Sequence, residues 1–353
     1  MDFDAIIAGV DTRKAQLAAL KAQGRQVYIY GAGEYARSVG RFLRKHGVTV
    51  SGNIVDPEFK AGAAHHTLEE VLSNGAAVSI VIGRADHRGA RDKMLASGKI
   101  APTDLHAFVL SPHYLDAIDG DFLAAHKKDL ATVYERLVDH ESRETFIAFI
   151  RTLYSGDDGP LIDVVAPDQY FPSFLSLRQD EIFVDGGAYD GDTLSEFRRR
   201  CGGHFCKYYA IEPDPRNYDA LLASIAANPG PIQPLAAALS DQHGELRFSL
   251  DSVASTDSRV TVDGEFRVPA ITIDATCPGA TFIKLDIEGG ELHALRGAAS
   301  TIAANRPTLA ISAYHVPEHL WELPRFVSAI HPDYQIRMRQ HRPICTELVM
   351  YAN

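Results

Sequence analysis

The sequence predicts an α/β chain built as two units, each a helix-covered sheet of mostly parallel strands. Three observations lead there. Short apolar strand-like runs alternate with helical patterns in both halves, a glycine turn closes the first strand of each series, and a helical, then Pro- and Asp-rich stretch separates them. The length of 353 residues, more than one ordinary domain needs, agrees.

The first series opens with a helix over residues 15–22, then a strand at QVYIY (26–30) and a tight turn at GAGEYA (31–36). RSVGRFLRKHG (37–47) reads as a helix closed by Gly47, and VTVSGNIVD (48–56) as a strand ending in Asp56. A helix at TLEEVLSNG (67–75), a strand at AAVSIVIG (76–83), a helix through Arg91 and Met94 and a strand at LHAFVL (105–110) complete a Rossmann-like unit over residues 24–111. Residues 129–156 carry apolar positions at helical spacing up to Gly156, and residues 157–174 read as a loop or lid. The expected division is an N-terminal Rossmann-like domain (1–111), a helical connector (112–164) belonging largely to the second domain, and a second domain (165–353).

The second series runs EIFVDGG (strand, turn), TLSEFRRR (helix), KYYAIEPD (strand), NYDALLASIAAN (helix) and PIQPLAAALSD. HGELRFSL and the polar SVASTDSRVTVDGEF suggest a hairpin-like strand and a mobile loop. TFIKLDIEGG, a helix, TLAISAYH and LWELPRFVSAI follow, and YQIRMRQH and ELVMYA read as closing antiparallel strands.

Composition narrows the function. The formal charge of −11, with no basic block, speaks against nucleic acid. No apolar run is long enough to span a bilayer. The acidic N-terminal stretch does not read as a signal peptide, so a cytoplasmic location is expected. Cys201, Cys206, Cys277 and Cys345 are scattered and lack zinc-type spacing.

Asp185, Gly187 and Gly191 fit D-x-G-x-x-x-G between a strand and a helix, and Glu212 ends the next strand at the distance where an acid reaches a ribose hydroxyl pair. A carboxylate before the glycines suits a cation better than a phosphate. S-adenosylmethionine, with a sulfonium and an α-amino group, answers that requirement, with Asp185 at the amino group. The plainer alternative is that Asp185 caps the following helix. The first glycine turn, with Gly31, Gly33 and Ala36 and with Asp56 ending the next strand, matches the loose dinucleotide pattern and has no acid before it, so an anion, a nucleotide or a nucleotide-sugar could sit there.

Lys284, Asp286 and Glu288 alternate at the end of their strand and are expected on one face of it, as catalytic groups or as a strand-end ion pair. His315 follows an apolar strand as a candidate general base, Tyr314 could orient substrate, and Tyr170 with Phe171 could close over the cofactor. A divalent metal shared by Asp286 and Glu288 is the less favoured reading.

FVDGGAYDGDTLSEF, YAIEPDPRNYDALL and above all FIKLDIEGGELHALRGA resemble the FkbM family of S-adenosylmethionine-dependent methyltransferases over residues 165–352. The resemblance implies a class I methyltransferase fold, methyl transfer to a hydroxyl oxygen, and cofactor contacts at Asp185, Gly187, Asp190, Thr193, Glu212 and Asp286. Its diverse acceptors, sugars and macrolides among them, do not select one here. The resulting reading is an O-methyltransferase acting on a small molecule or glycan, with His315, Lys284 and Asp286 catalytic. Glu212 would hold the ribose, with Ala188, Pro213, Asp214, Asn217, Ala238 and Leu239 around the cofactor. The alternatives are an NAD-linked nucleotide-sugar-modifying enzyme using Gly31 and Gly33, or a non-catalytic cofactor-binding protein. A homo-oligomer stays open.

Overall fold

The computed structural model describes residues 2–8, 13–22, 24–62, 65–84, 86–108, 120–249, 259–260 and 266–353. It divides into two compact units. Met1–Ala131, Phe146–Asp163 and Pro343–Cys345 make the first, and Thr132–Thr145, Val164–Arg342 and Thr346–Asn353 the second. The helical region between the two series is therefore shared between the units.

Among the described residues, the first unit has β1 (Arg25–Tyr30), β2 (Val50–Ile54), β3 (His65–His66), β4 (Ala77–Ile82) and β5 (Leu105–Ala107). They pair in the order β3-β2-β1-β4-β5, every pair parallel. The central strand shows why a near-continuous apolar run is needed. Val27 and Ile29 pack on one face with Val39, Phe42 and Leu43 of the helix Glu34–Lys45, while Tyr28 and Tyr30 pack on the other with Val71 and Met94. Burying each large apolar side chain contributes about 1.5–3 kcal/mol. β3 was not expected, because two histidines carry no strand pattern. Val109 and Leu110 of the expected fourth strand lie outside the described residues.

The helical pattern over residues 129–156 falls into two helices, Lys127–Arg136 and His140–Ser155. Asp139 divides them. Its Oδ1 accepts the Ser142 N–H at 2.8 Å, capping the second helix, and its Oδ2 holds Arg337 at 3.1 Å and Arg339 at 2.9 Å. Within the expected 157–174 loop, Gly159–Ile162 forms a short helix.

Among the described residues, the second unit has strands β6 (Ile182–Gly186), β7 (Lys207–Ile211), β8 (Ile232–Leu235), β9 (Ala238–Leu239), β10 (Gly244–Ser249), β11 (Arg259–Val260), β12 (Phe266–Ile271), β13 (Phe282–Leu285), β14 (Thr308–Ser312), β15 (Ile336–Gln340) and β16 (Leu348–Ala352). Seven form one sheet in the order β15-β16-β14-β13-β6-β7-β8. Pairs from β14 through β8 are parallel, and the closing β15 and β16 are antiparallel. β9 to β12 make a smaller sheet. Most of the loop expected to be mobile lies outside the described residues.

The chain leaves β6 outward through β7 and β8 and returns to β13 and β14 on the other side. The strand order thus reverses between β6 and β13, and the crevice outside their C-terminal ends is where open α/β sheets take ligands. Beneath it lies an aromatic core in which the Phe183 ring sits 5.0 Å from Tyr208 and 4.8 Å from Phe282. Among the described residues, no helix is long and apolar enough to cross a membrane.

Candidate functional site

At that reversal point the second unit encloses a cavity of about 330 Å³, within the range of small-molecule sites. Its floor is the turn after β6. Gly187 has φ +75°, and a Cβ there would stand 1.9 Å from the Asp286 carbonyl oxygen, so the two strand ends approach this closely only with glycine. Gly187→Ala should therefore lower the unfolding free energy by about 2 kcal/mol or more. An unchanged denaturant midpoint would contradict that reading of the turn.

Glu212 follows β7 and faces one end of the cavity. Its carboxylate accepts the N–H of Tyr189 at 3.0 Å and of Asp214 at 2.8 Å. Burial pushes its carboxyl up to about 7, against the pull of those two amides. Thr193, Pro213, Asn217, Ala238 and Leu239 line the same cavity.

Asp185 and Lys284 lie side by side in the β6–β13 register, which explains their ion pair at 2.9 Å. Both are buried. The Asp185 carboxylate also accepts the Tyr208 hydroxyl, and the Lys284 ammonium donates to the Gly187 carbonyl at 2.6 Å. Burial works against the ammonium, but Asp185 and Asp286 outweigh it and hold its pKa above the ordinary lysine value. Asp185 lies below the cavity floor and does not line it, whereas Lys284 does.

The other end of the cavity is acidic. Asp286 Oδ2 accepts the Tyr170 hydroxyl at 2.7 Å and Oδ1 the Tyr314 hydroxyl at 3.3 Å. Burial holds both phenols well above their ordinary pKa, so they stay protonated donors. Glu288 and Glu347 also line this end, Glu347 accepting from Gln169 at 2.5 Å. β13 stops at Leu285, so the expected one-face alternation of Lys284, Asp286 and Glu288 does not hold: Lys284 belongs to the strand, and Glu288, with φ 55°, belongs to the turn after it.

His315 does not line the cavity. Its Nδ1 lies 2.8 Å from Glu291 and its Nε2 3.5 Å from both Asp286 and Glu288. Burial would lower its pKa, but Glu291 and the other two carboxylates raise it to about 10. An imidazolium has no lone pair to take a proton, so a pKa raised this way favours a cation facing Asp286 and Glu288 over the expected general base. Glu291 is the group that sequence reasoning missed: fully buried, it also accepts the Ile287 N–H at 2.9 Å. Asp286, Glu291 and His315 each offer an atom within 4.8 Å of the others, close enough to share a metal ion.

Of the other expected contacts, Ala188 is buried outside the cavity, Asp190 accepts the Asp192 N–H at 3.2 Å, and Asp214 caps the helix Pro215–Ala227 and pairs with Arg216 at 2.7 Å. Phe171 joins the aromatic core, leaving Tyr170 alone at the cavity. Tyr189, Asp192, Ile287, Arg342 and Glu347 line it without having been expected to.

The Methyltransferase FkbM domain matches residues 185–339, a range that runs from the end of β6 to all but the last residue of β15 and contains most of the residues lining this cavity. The chain is similar to the hexuronic acid methyltransferase AglP of Haloferax volcanii, at 28% identity over 122 residues, 31% of this chain and 51% of AglP. It thus spans about half the length of that curated relative. A crystal structure of Methyltransferase FkbM from Methylobacillus flagellatus KT shares the fold, with a TM-score of 0.80 and 22% identity over 99% of this chain and 96% of the other.

Proposed function

We propose that the chain is an S-adenosylmethionine-dependent O-methyltransferase whose acceptor is a hydroxyl of a carbohydrate or similar small molecule. The observation that carries this is the cavity at the strand-order reversal, with the Glu212 carboxylate at one end and Asp286 beneath two tyrosine hydroxyls at the other. The name of AglP supports a sugar acceptor. The first unit reads as a Rossmann-like module from its strand order.

The residues fit the cofactor. Glu212 keeps lone pairs beyond those given to its two amides and can accept the ribose hydroxyls. Asn217, Ala238 and Leu239 offer a partly apolar seat for adenine, and Gly187 and Thr193 leave room for the amino-acid portion. The acidic end favours a sulfonium. When bound, the cofactor supplies an electrophilic methyl group. Asp286, oriented by Tyr170 and Tyr314, accepts the hydroxyl proton of the acceptor, and His315 with Glu291 fixes that carboxylate in place. Asp185 acts through Lys284 and Tyr208, as a brace under the floor.

The test is transfer of labelled methyl to hexuronic-acid-containing acceptors. Asp286→Asn should lower turnover about 10²–10⁴-fold with S-adenosylhomocysteine affinity little changed, and a chelator should leave the wild-type rate intact. A wild-type rate in the variant would remove Asp286 as the proton acceptor.

Glu212 also gives the site a pH dependence. Its folded-state pKa of about 7 lies above the ordinary 4.5, so in ligand-free protein its contribution to stability falls as pH rises between those values. Ribose hydroxyls prefer the carboxylate, so affinity moves the other way. S-adenosylhomocysteine should bind about tenfold tighter at pH 8 than at pH 6. A flat profile in the wild type, matching Glu212→Gln, would count against the assignment.

A further inference from the structure

The first unit holds a second cavity, of about 430 Å³, between the helix Glu34–Lys45 and the β1, β2 and β3 side of its sheet. Arg37, Arg41 and Arg44 line it, with Asn53 and His65 across from them and Ala32 of the glycine turn at one end. Positions i, i+4 and i+7 share one helix face, so the three guanidinium groups stem from a row about 10 Å long.

Local sequence builds this row. Arg44 folds back over Gly40, its guanidinium within 3.3 Å of where a Cβ would stand, so the missing side chain gives it room against the cavity wall. Gly33 begins the helix without a side-chain cap, and the 12-residue helix presents its positive end beside Ala32. No described residue lining the cavity is acidic, in a chain whose formal charge is −11. A recess whose charged described residues are all arginines concentrates anions even on an acidic protein.

The geometry also narrows the anion. In a dinucleotide site the acid after the second strand holds a ribose. Here that acid, Asp56, is engaged by the Tyr30 hydroxyl at 3.0 Å and the Lys93 ammonium at 2.8 Å, and it does not line the cavity. Arginine forks match phosphate oxygens in pairs, and a row of three fits two adjoining phosphate groups better than one.

We propose that this recess binds a small molecule of the diphosphate class, held by Arg37, Arg41 and Arg44 with His65 and the helix N-terminus, as a site separate from the methyltransferase cavity. Inorganic pyrophosphate and ADP would be titrated calorimetrically into the full-length protein at fixed ionic strength, with sulfate as control. Pyrophosphate should bind and sulfate should bind at least tenfold more weakly. The exposed double variant R41E/R44E should lose at least tenfold in pyrophosphate affinity with its unfolding midpoint retained, and R37Q should lose less. ADP binding tighter than pyrophosphate would add contacts from the nucleoside, and equal affinity would assign the site to the diphosphate alone; either supports the proposal. No pyrophosphate binding, equal binding of sulfate, or binding that survives R41E/R44E overturns it. So does ADP binding that survives R41E/R44E and disappears in Glu212→Ala, which would put ADP in the other cavity.

Discussion

Lys284→Met should destabilise the protein by about 3–5 kcal/mol, because it strands the Asp185 carboxylate without its cation in a fully buried position. Tyr208 would remain as its hydroxyl donor, and one neutral donor does not replace an ammonium. The distinguishing measurement is the double variant Asp185→Asn/Lys284→Met. Removing both charges leaves no uncompensated ion, so much of the lost stability should return. If the single variant costs less than about 1 kcal/mol, a value proper to exposed pairs, the buried pair is not what braces the junction of β6 and β13.

Glu212→Ala is the second large effect. Two charge-assisted hydrogen bonds to ribose hydroxyls are together worth about 3 kcal/mol or more, so affinity for S-adenosylmethionine and S-adenosylhomocysteine should fall about a hundredfold or more. The fold should survive. Burial already pushes this carboxyl up to about 7, so the ligand-free protein loses little when it goes, beyond acceptors for the Tyr189 and Asp214 amides. Loss of affinity together with a collapsed melting temperature would point to a structural role. Unchanged affinity would remove Glu212 from the cofactor site.

The contrast between these residues shows what a sequence can convey. Glu212 was legible because it ends an apolar strand at a set distance from a glycine turn, and strand ends in α/β sheets converge on one crevice. The strands themselves were legible as apolar runs punctuated by glycine, as at EIFVDGG and QVYIY. Asp185 was legible as a residue of interest, but its partner was not. Lys284 lies 99 positions later, and only the parallel register of β6 with β13 puts the two together. His315 was placed at the right strand end, but the carboxylate it touches was not legible, because Glu291 in sequence looks like an ordinary acid at the start of a helix. Glu347 and Arg342 come from the turn between two antiparallel strands and carry no motif at all. Asp139, between the helices Lys127–Arg136 and His140–Ser155, caps the second of them, a contact that an apolar period does not reveal.

Calorimetric titration of the full-length protein with S-adenosylhomocysteine, and separately with NAD, tests the central claim most directly. Binding of S-adenosylhomocysteine at one site per chain, absent in Glu212→Ala and without a matching heat for NAD, is the expected result. No binding of S-adenosylhomocysteine, or binding of NAD alone, would contradict it.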